Sequence, residues 1–198
     1  NVVLSDGRIE SRIRVDNSDD ALVLRNVRWP MASFARLPGD DRLILPFMNG
    51  VEQPNPVETT SEIAKHDGVY PSSSMGLQMG AYYNGVSGVY YAHEDPTASA
   101  KRICAQGRRG GIDVFFSQNV AIDHGASGGN SYSQPGAGVI EIFAGDWFDA
   151  GQIYKRFLAA KAPWWVAELP RKETPQWFRE NCVCTELVVY NRTGRTEK

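Results

Sequence analysis

The stretch Gln78-Met79-Gly80-Ala81-Tyr82-Tyr83-Asn84-Gly85-Val86-Ser87-Gly88-Val89-Tyr90-Tyr91-Ala92-His93 decides the fold class. Gln78 to Tyr83 and Gly88 to His93 are short apolar runs carrying four tyrosines. The link Asn84 to Ser87 supplies the glycine that a tight reversal needs, which predicts an antiparallel hairpin. Working back towards the N-terminus, Arg8 to Val15 alternates with a period of two. Ile9, Ile13 and Val15 fall on one side, and Arg8, Glu10, Arg12 and Arg14 on the other, as in a half-buried strand. Asp16 to Asp20 is turn chemistry. Further strands are expected over Ala21 to Trp29, stopped by Pro30, and over Arg42 to Leu45, stopped by Pro46. Asn49 to Ser74 is polar and contains Pro54, Pro56 and Pro71. It reads as a long loop, either functional or a connection between two sheets. Working forward, Arg102 to Ala105, Ile112 to Ile122 and Val139 to Phe143 read as strands. The Gly107-Arg108-Arg109-Gly110-Gly111 turn and the Gly/Ser-rich Asp123 to Gly138 loop separate them. This succession of strands and Gly, Pro and Asn turns predicts a sandwich or barrel.

The period changes at Asp146. Ala150, Ile153, Tyr154, Phe157 and Leu158 form one apolar stripe, with Gln152, Lys155 and Arg156 turned away, so Asp146 to Lys161 reads as an amphipathic helix. Asp146 suits the N-cap, Lys161 the last turn, and Pro163 ends the helix. Trp164-Trp165 suggests a plug between domains. Thr174-Pro175 opens a helical turn through Trp177 and Phe178. Thr185 to Tyr190 is an apolar run like a buried strand.

Composition sets outer limits. The chain has 198 residues, 42% of them hydrophobic and 22% charged, with a formal net charge of -2. This excludes a coiled coil or a disordered tail, and no basic face points to nucleic acid. No apolar run reaches the roughly 20 residues of a membrane helix. Three cysteines, Cys104, Cys182 and Cys184, are an odd set for a disulfide scaffold, and buried thiols are the simpler reading. Secreted, periplasmic and cytoplasmic locations all stay open.

The chemistry-bearing residues select no reaction by spacing. Gly107 to Gly111 lacks the P-loop lysine, and Ser127-Gly128-Gly129 lacks nucleophile-elbow spacing. His66, His93 and His124 are scattered. His93-Glu94-Asp95 cannot place three side chains on one ion from one strand, so neither metal nor cofactor is expected. Glycoside hydrolysis needs two carboxylates, and Glu94, Asp95, Asp113, Glu141 and Asp146 are candidates. The tyrosines are more telling. Strand alternation is taken to set Tyr82 and Tyr90 against Tyr83 and Tyr91, one set packing the core and the other free to offer flat rings to a sugar. Tyr82, Tyr83, Tyr90, Tyr91, His93 and Glu94 are therefore the carbohydrate-contact candidates.

Several segments together resemble a known family. They are Tyr70-Pro71, Met75 to Tyr83, Gly88 to Pro96, Leu43 to Phe47, Gly145 to Ala150, Ile153-Tyr154 and Ala162 to Trp165. These are similar to a bacterial glycoside-hydrolase-like group, DUF6259, in which a galactose-mutarotase-like β-supersandwich precedes a (β/α)8 barrel. The resemblance implies an all-β sandwich over 1–144, a linker helix and connection over 145–181, and the first barrel strand within 182–198. It implies carbohydrate and the chain's own C-terminal barrel as partners. The family's catalytic residues would lie on later barrel strands, so none is carried over. Two other functions are compatible with the residues: a non-catalytic carbohydrate-binding or structural sandwich, and a mutarotase-like epimerase using His93 with Glu141 as acid and base.

Overall fold

The computed structural model describes residues 1–48, 50–58, 65–72, 74–120, 128–166 and 174–180. They form two units, 1–165 and 166–198. The first is an all-β sandwich with one helix. Thirteen strands occur among the described residues: β1 (Val2–Ser5), β2 (Arg8–Ser11), β3 (Arg14–Val15), β4 (Asn26–Ala35), β5 (Arg42–Leu45), β6 (Val51–Pro54), β7 (Lys65–Tyr70), β8 (Met79–Tyr83), β9 (Ser87–Glu94), β10 (Lys101–Arg108), β11 (Gly111–Asn119), β12 (Tyr132–Ser133) and β13 (Ala137–Ala144). The helix is α1 (Trp147–Lys161). Seven strands pair in the order β1-β2-β13-β9-β8-β5-β6, four in the order β4-β11-β10-β7, and β3 pairs with β12. Every pairing is antiparallel.

The seven-stranded sheet is covered on both sides. Leu43, Tyr82 and Tyr91 face Ile103, Ile112 and Phe116 of the smaller sheet, making the core between the sheets. Met79, Tyr83, Tyr90 and Val139 face the α1 stripe of Ala150, Ile153, Tyr154, Phe157 and Leu158, making a second core. A sheet buried on both faces loses its polar alternation. All five residues of β8 are accordingly buried.

The hairpin β8–β9 closes as expected, with Gly85 at φ +82° in the turn. Gly80 answers a packing need: a Cβ there would lie 2.3 Å from the Tyr91 hydroxyl. The helix also matches its sequence. Asp146 accepts the Phe148 amide at 2.8 Å, and Asp149 accepts the Asp146 amide at 3.0 Å, a reciprocal N-terminal cap. The helix lies in the first unit, and Trp164 donates its indole N–H to the Pro96 carbonyl at 2.9 Å, tying the chain after α1 back to the sandwich.

Three expectations need correcting. Pro30 does not end its strand: β4 runs through it on the edge of the smaller sheet, where a missing N–H is tolerated. A register shift opposite, between Phe115 and Ser117, leaves Trp29 and Pro30 outside the ladder. The segment 49–74 is not a loop throughout, because it carries β6 and β7. Finally, Arg8 and Glu10 do not face solvent. They point towards α1, while Ile9 on the opposite face is 36% exposed.

In the second unit, α2 (Gln176–Glu180) confirms the short helical turn. The expected strand from Cys182 to Tyr190, with both of its cysteines, Cys182 and Cys184, lies outside the described residues, as does His124. Among the described residues, no helix is long and apolar enough to cross a membrane.

Candidate functional site

The six nominated residues all lie on or beside the hairpin, and the cross-strand register decides what each can do. Tyr82 pairs with Val89, Ala81 with Tyr90, and Gly80 with Tyr91. Directly paired residues share a face. Tyr82 and Tyr91 therefore point between the sheets, and Tyr83 and Tyr90 point towards α1, which corrects the grouping expected from alternation alone. None of the four offers a ring to a ligand, because each is at most 2% exposed. Their hydroxyls are mostly engaged inside the protein. Tyr82 donates to Asp41 at 2.5 Å and accepts the Leu37 amide at 3.1 Å. Tyr83 donates to Glu52 at 2.6 Å and Tyr90 to Glu94 at 3.2 Å. The Tyr91 hydroxyl is buried without a hydrogen-bond partner.

His93 is fully buried between the sheets, edge-on to Phe116 with ring centroids 6.1 Å apart. Its Nε2 lies 2.6 Å from the Pro135 carbonyl, which can only accept, so Nε2 carries the proton. The bare Nδ1 has no partner. Burial, reinforced by the nearby Lys101 charge, pulls the imidazole down to about 4. Glu141 is three residues along β13 from Gly138, the partner of His93. An odd separation on a strand reverses the face. His93 and Glu141 thus lie on opposite sides of the sheet, and the acid–base pair needed for an epimerase is not assembled.

Glu94 and Glu141 do converge, on Arg8. Its Nη2 donates to Glu94 at 2.6 Å, Nη1 to Glu141 at 2.7 Å, and Nε to Glu10 at 3.1 Å. Arg156 of α1 donates to Glu141 at 3.1 Å. Burial opposes the Arg8 charge, but its bonds to Glu94 and Glu141 outweigh burial and raise its pKa. The cluster borders a cavity of about 630 Å³ between the β1–β2 edge and α1. Every N–H-bearing nitrogen of the Arg8 guanidinium already holds a carboxylate. The geometry is that of an ionic tie between β2, β9, β13 and α1.

A second cluster closes one end of the sandwich. Lys101 Nζ donates to Asp95 at 3.0 Å and to the Gln78 side-chain oxygen, over the Tyr70 ring at 5.2 Å. Asp95 also accepts the Thr97 and Ser99 amides at 2.8 and 2.9 Å, and both hydroxyls. Burial pushes the Asp95 carboxyl up, but the Ser99 and Thr97 donors and the Lys101 charge together hold it well below the usual carboxylate range. Burial draws the Lys101 ammonium down to about 8 against the pull of Asp95. Gln78 Nε2 donates to the Asp95 carbonyl at 3.0 Å, and the Gln78 amide donates to the Tyr154 hydroxyl at 3.3 Å. This network joins the hairpin to both the smaller sheet and the helix.

The remaining candidate carboxylates are also engaged. Asp113 accepts from Arg108 at 2.7 Å and Ser33 at 2.6 Å, and Asp146 caps α1. Among the described residues, no group of three or more His, Cys, Asp or Glu could hold a metal ion. Two positions that tie elements together are not legible in the sequence. Arg8 sits on the polar side of an alternating strand and Lys101 opens one, and only long-range pairing reveals the tie that each makes. No protein-family model matches this chain, and no curated protein does so either.

Proposed function

We propose that this chain is the β-sandwich portion of a carbohydrate-active glycoside hydrolase, in which it supports a catalytic barrel. One observation supports this reading. Most of the segments that carry the family resemblance are segments that join sandwich to helix. Met75 to Tyr83 and Gly88 to Pro96 contain the central hairpin, and Gly145 to Ala150 with Ile153-Tyr154 cap α1 and supply part of its buried stripe. Gln78 reaches Tyr154 and Pro96 reaches Trp164 across that joint. A helix fixed so firmly to a sandwich is a rigid base from which a further domain can be held. The ion-paired state of Glu94, Asp95 and Glu141 fits a scaffold role, since each is committed to holding elements together.

The test compares two proteins on a panel of aryl glycosides: the complete gene product containing this sequence, and the 198-residue chain. The expected result is hydrolysis of at least one glycoside by the gene product and none by the chain alone. A gene product without glycosidase activity, or one in which the added sequence is dispensable for it, overturns the proposal.

A further inference from the structure

Trp147 opens α1 with its indole 52% exposed. Single exposed aromatics are ordinary on protein surfaces. This one stands between two cavities of opposite character. On one side is an open polar cavity of about 390 Å³, with Asp40, Arg42, Glu52 and Tyr83 in its wall. On the other is an apolar one of about 370 Å³, lined by Ile44, Leu77 and Met79 among others. The backbone that carries the indole is fixed. The reciprocal cap fixes the first turn of α1, and Phe148 meets Trp147 edge to face at 6.0 Å and 86°. The polar wall is ordered too. Tyr83 and Arg42 Nη1 both donate to Glu52, at 2.6 and 3.1 Å, which leaves the other guanidinium N–H groups of Arg42 on a side chain 45% exposed.

We propose that the surface around Trp147 binds a neutral pyranose residue, with its C–H face on the indole and its hydroxyl rim against Arg42, Glu52 and Asp40. A pyranose is amphipathic in the same sense as this site. Guanidinium and carboxylate groups present paired donors or acceptors that match neighbouring hydroxyls. Asp40, Glu52 and Asp146 outnumber Arg42 in the lining, so an acidic sugar would be repelled. One exposed ring and a shallow wall give weak binding, with a Kd on the order of 1 mM. The ligand class rests on the proposed function; the site rests on the cavities and the fixed indole. It uses none of the four hairpin tyrosines as a platform.

Titration of the 198-residue chain with cellohexaose, xylohexaose, mannohexaose and maltohexaose, followed by NMR, tests this. At least one probe should bind saturably. Trp147→Ala should weaken that binding by about tenfold or more, with unchanged thermal unfolding, and Arg42→Gln severalfold. The proposal is overturned if no probe binds or if Trp147→Ala binds as well as the parent. It is also overturned if Trp147→Ala acts only by lowering the unfolding temperature of the complete gene product, which would make this surface a protein-docking face. Absent sugar binding in a gene product that hydrolyses glycosides defeats this inference alone. Sugar binding in a gene product without glycosidase activity defeats the proposed function alone.

Discussion

Tyr82 and Tyr91 leave one face of the seven-stranded sheet, and Tyr83 and Tyr90 leave the other. All four are buried, yet the two layers they enter differ. Between the sheets the packing is mostly apolar, and charged side chains sit at its margins: the Asp95–Lys101 pair at one end, and the buried Asp41 that takes the Tyr82 hydroxyl. Under α1 the apolar stripe runs beside the Arg8 tie, which is partly open to water. The same hairpin therefore closes a dry sandwich and seats a helix through a mixture of packing and ion pairs. In both layers, polar groups appear where separate elements must be joined.

The largest effect is expected at the dry end. Asp95→Ala leaves the Lys101 charge buried and should destabilise the protein by about 3–5 kcal/mol in denaturant unfolding. Adding Lys101→Met should recover much of that loss, because the uncompensated charge is then gone. A double variant no more stable than Asp95→Ala would show that the pair acts through packing rather than charge.

The next effect depends on pH. In the folded protein His93 stays neutral down to about 4. In the unfolded chain it takes a proton near the ordinary 6.5. Between those values the unfolded state binds more protons, so stability is full above 6.5 and falls as pH drops towards 4. The loss should reach about 3 kcal/mol, and His93→Gln should flatten this limb of the stability profile. An unchanged profile would place the acid sensitivity elsewhere.

On the helix side, Arg8→Met leaves the buried Glu94 without a cation and removes one partner from each of the more exposed Glu141 and Glu10, and about 2 kcal/mol should be lost. High salt should narrow the difference from the parent, whereas it should leave the Asp95→Ala loss nearly intact. The finest contrast lies within the dry layer. Tyr82→Phe removes a hydroxyl with two partners and should cost about 1–2 kcal/mol, while Tyr91→Phe removes one with none and should be neutral or slightly stabilising. Equal effects would contradict the hydrogen-bond pattern described.

Local signals in the sequence were reliable where one residue type did one job. Asp146 and the stripe through Leu158 place α1 almost to the residue, and Asn84-Gly85 places the hairpin turn. The candidate site was less legible. Aromatic content and a sugar-binding surface look alike in sequence, because a tyrosine on a sheet covered on both sides keeps the same letters as one on an open sheet. Alternation alone misplaces Tyr90, because register depends on where the turn begins, and Tyr83 pairs with Gly88. Arg8 looked outward because alternation reports two faces without saying that a helix covers one of them. Pro30 looked like a stop because an edge strand with a register shift opposite cannot be recognised locally.

The proposed scaffold role depends on α1 belonging to the sandwich as a third layer. Native-state hydrogen exchange of the 198-residue chain tests it most directly. The amides of Ile153 to Leu158 are expected to exchange only through the same global opening that exposes β8 and β9. Exchange of those helix amides through a separate, much easier opening, with the hairpin still protected, would contradict it.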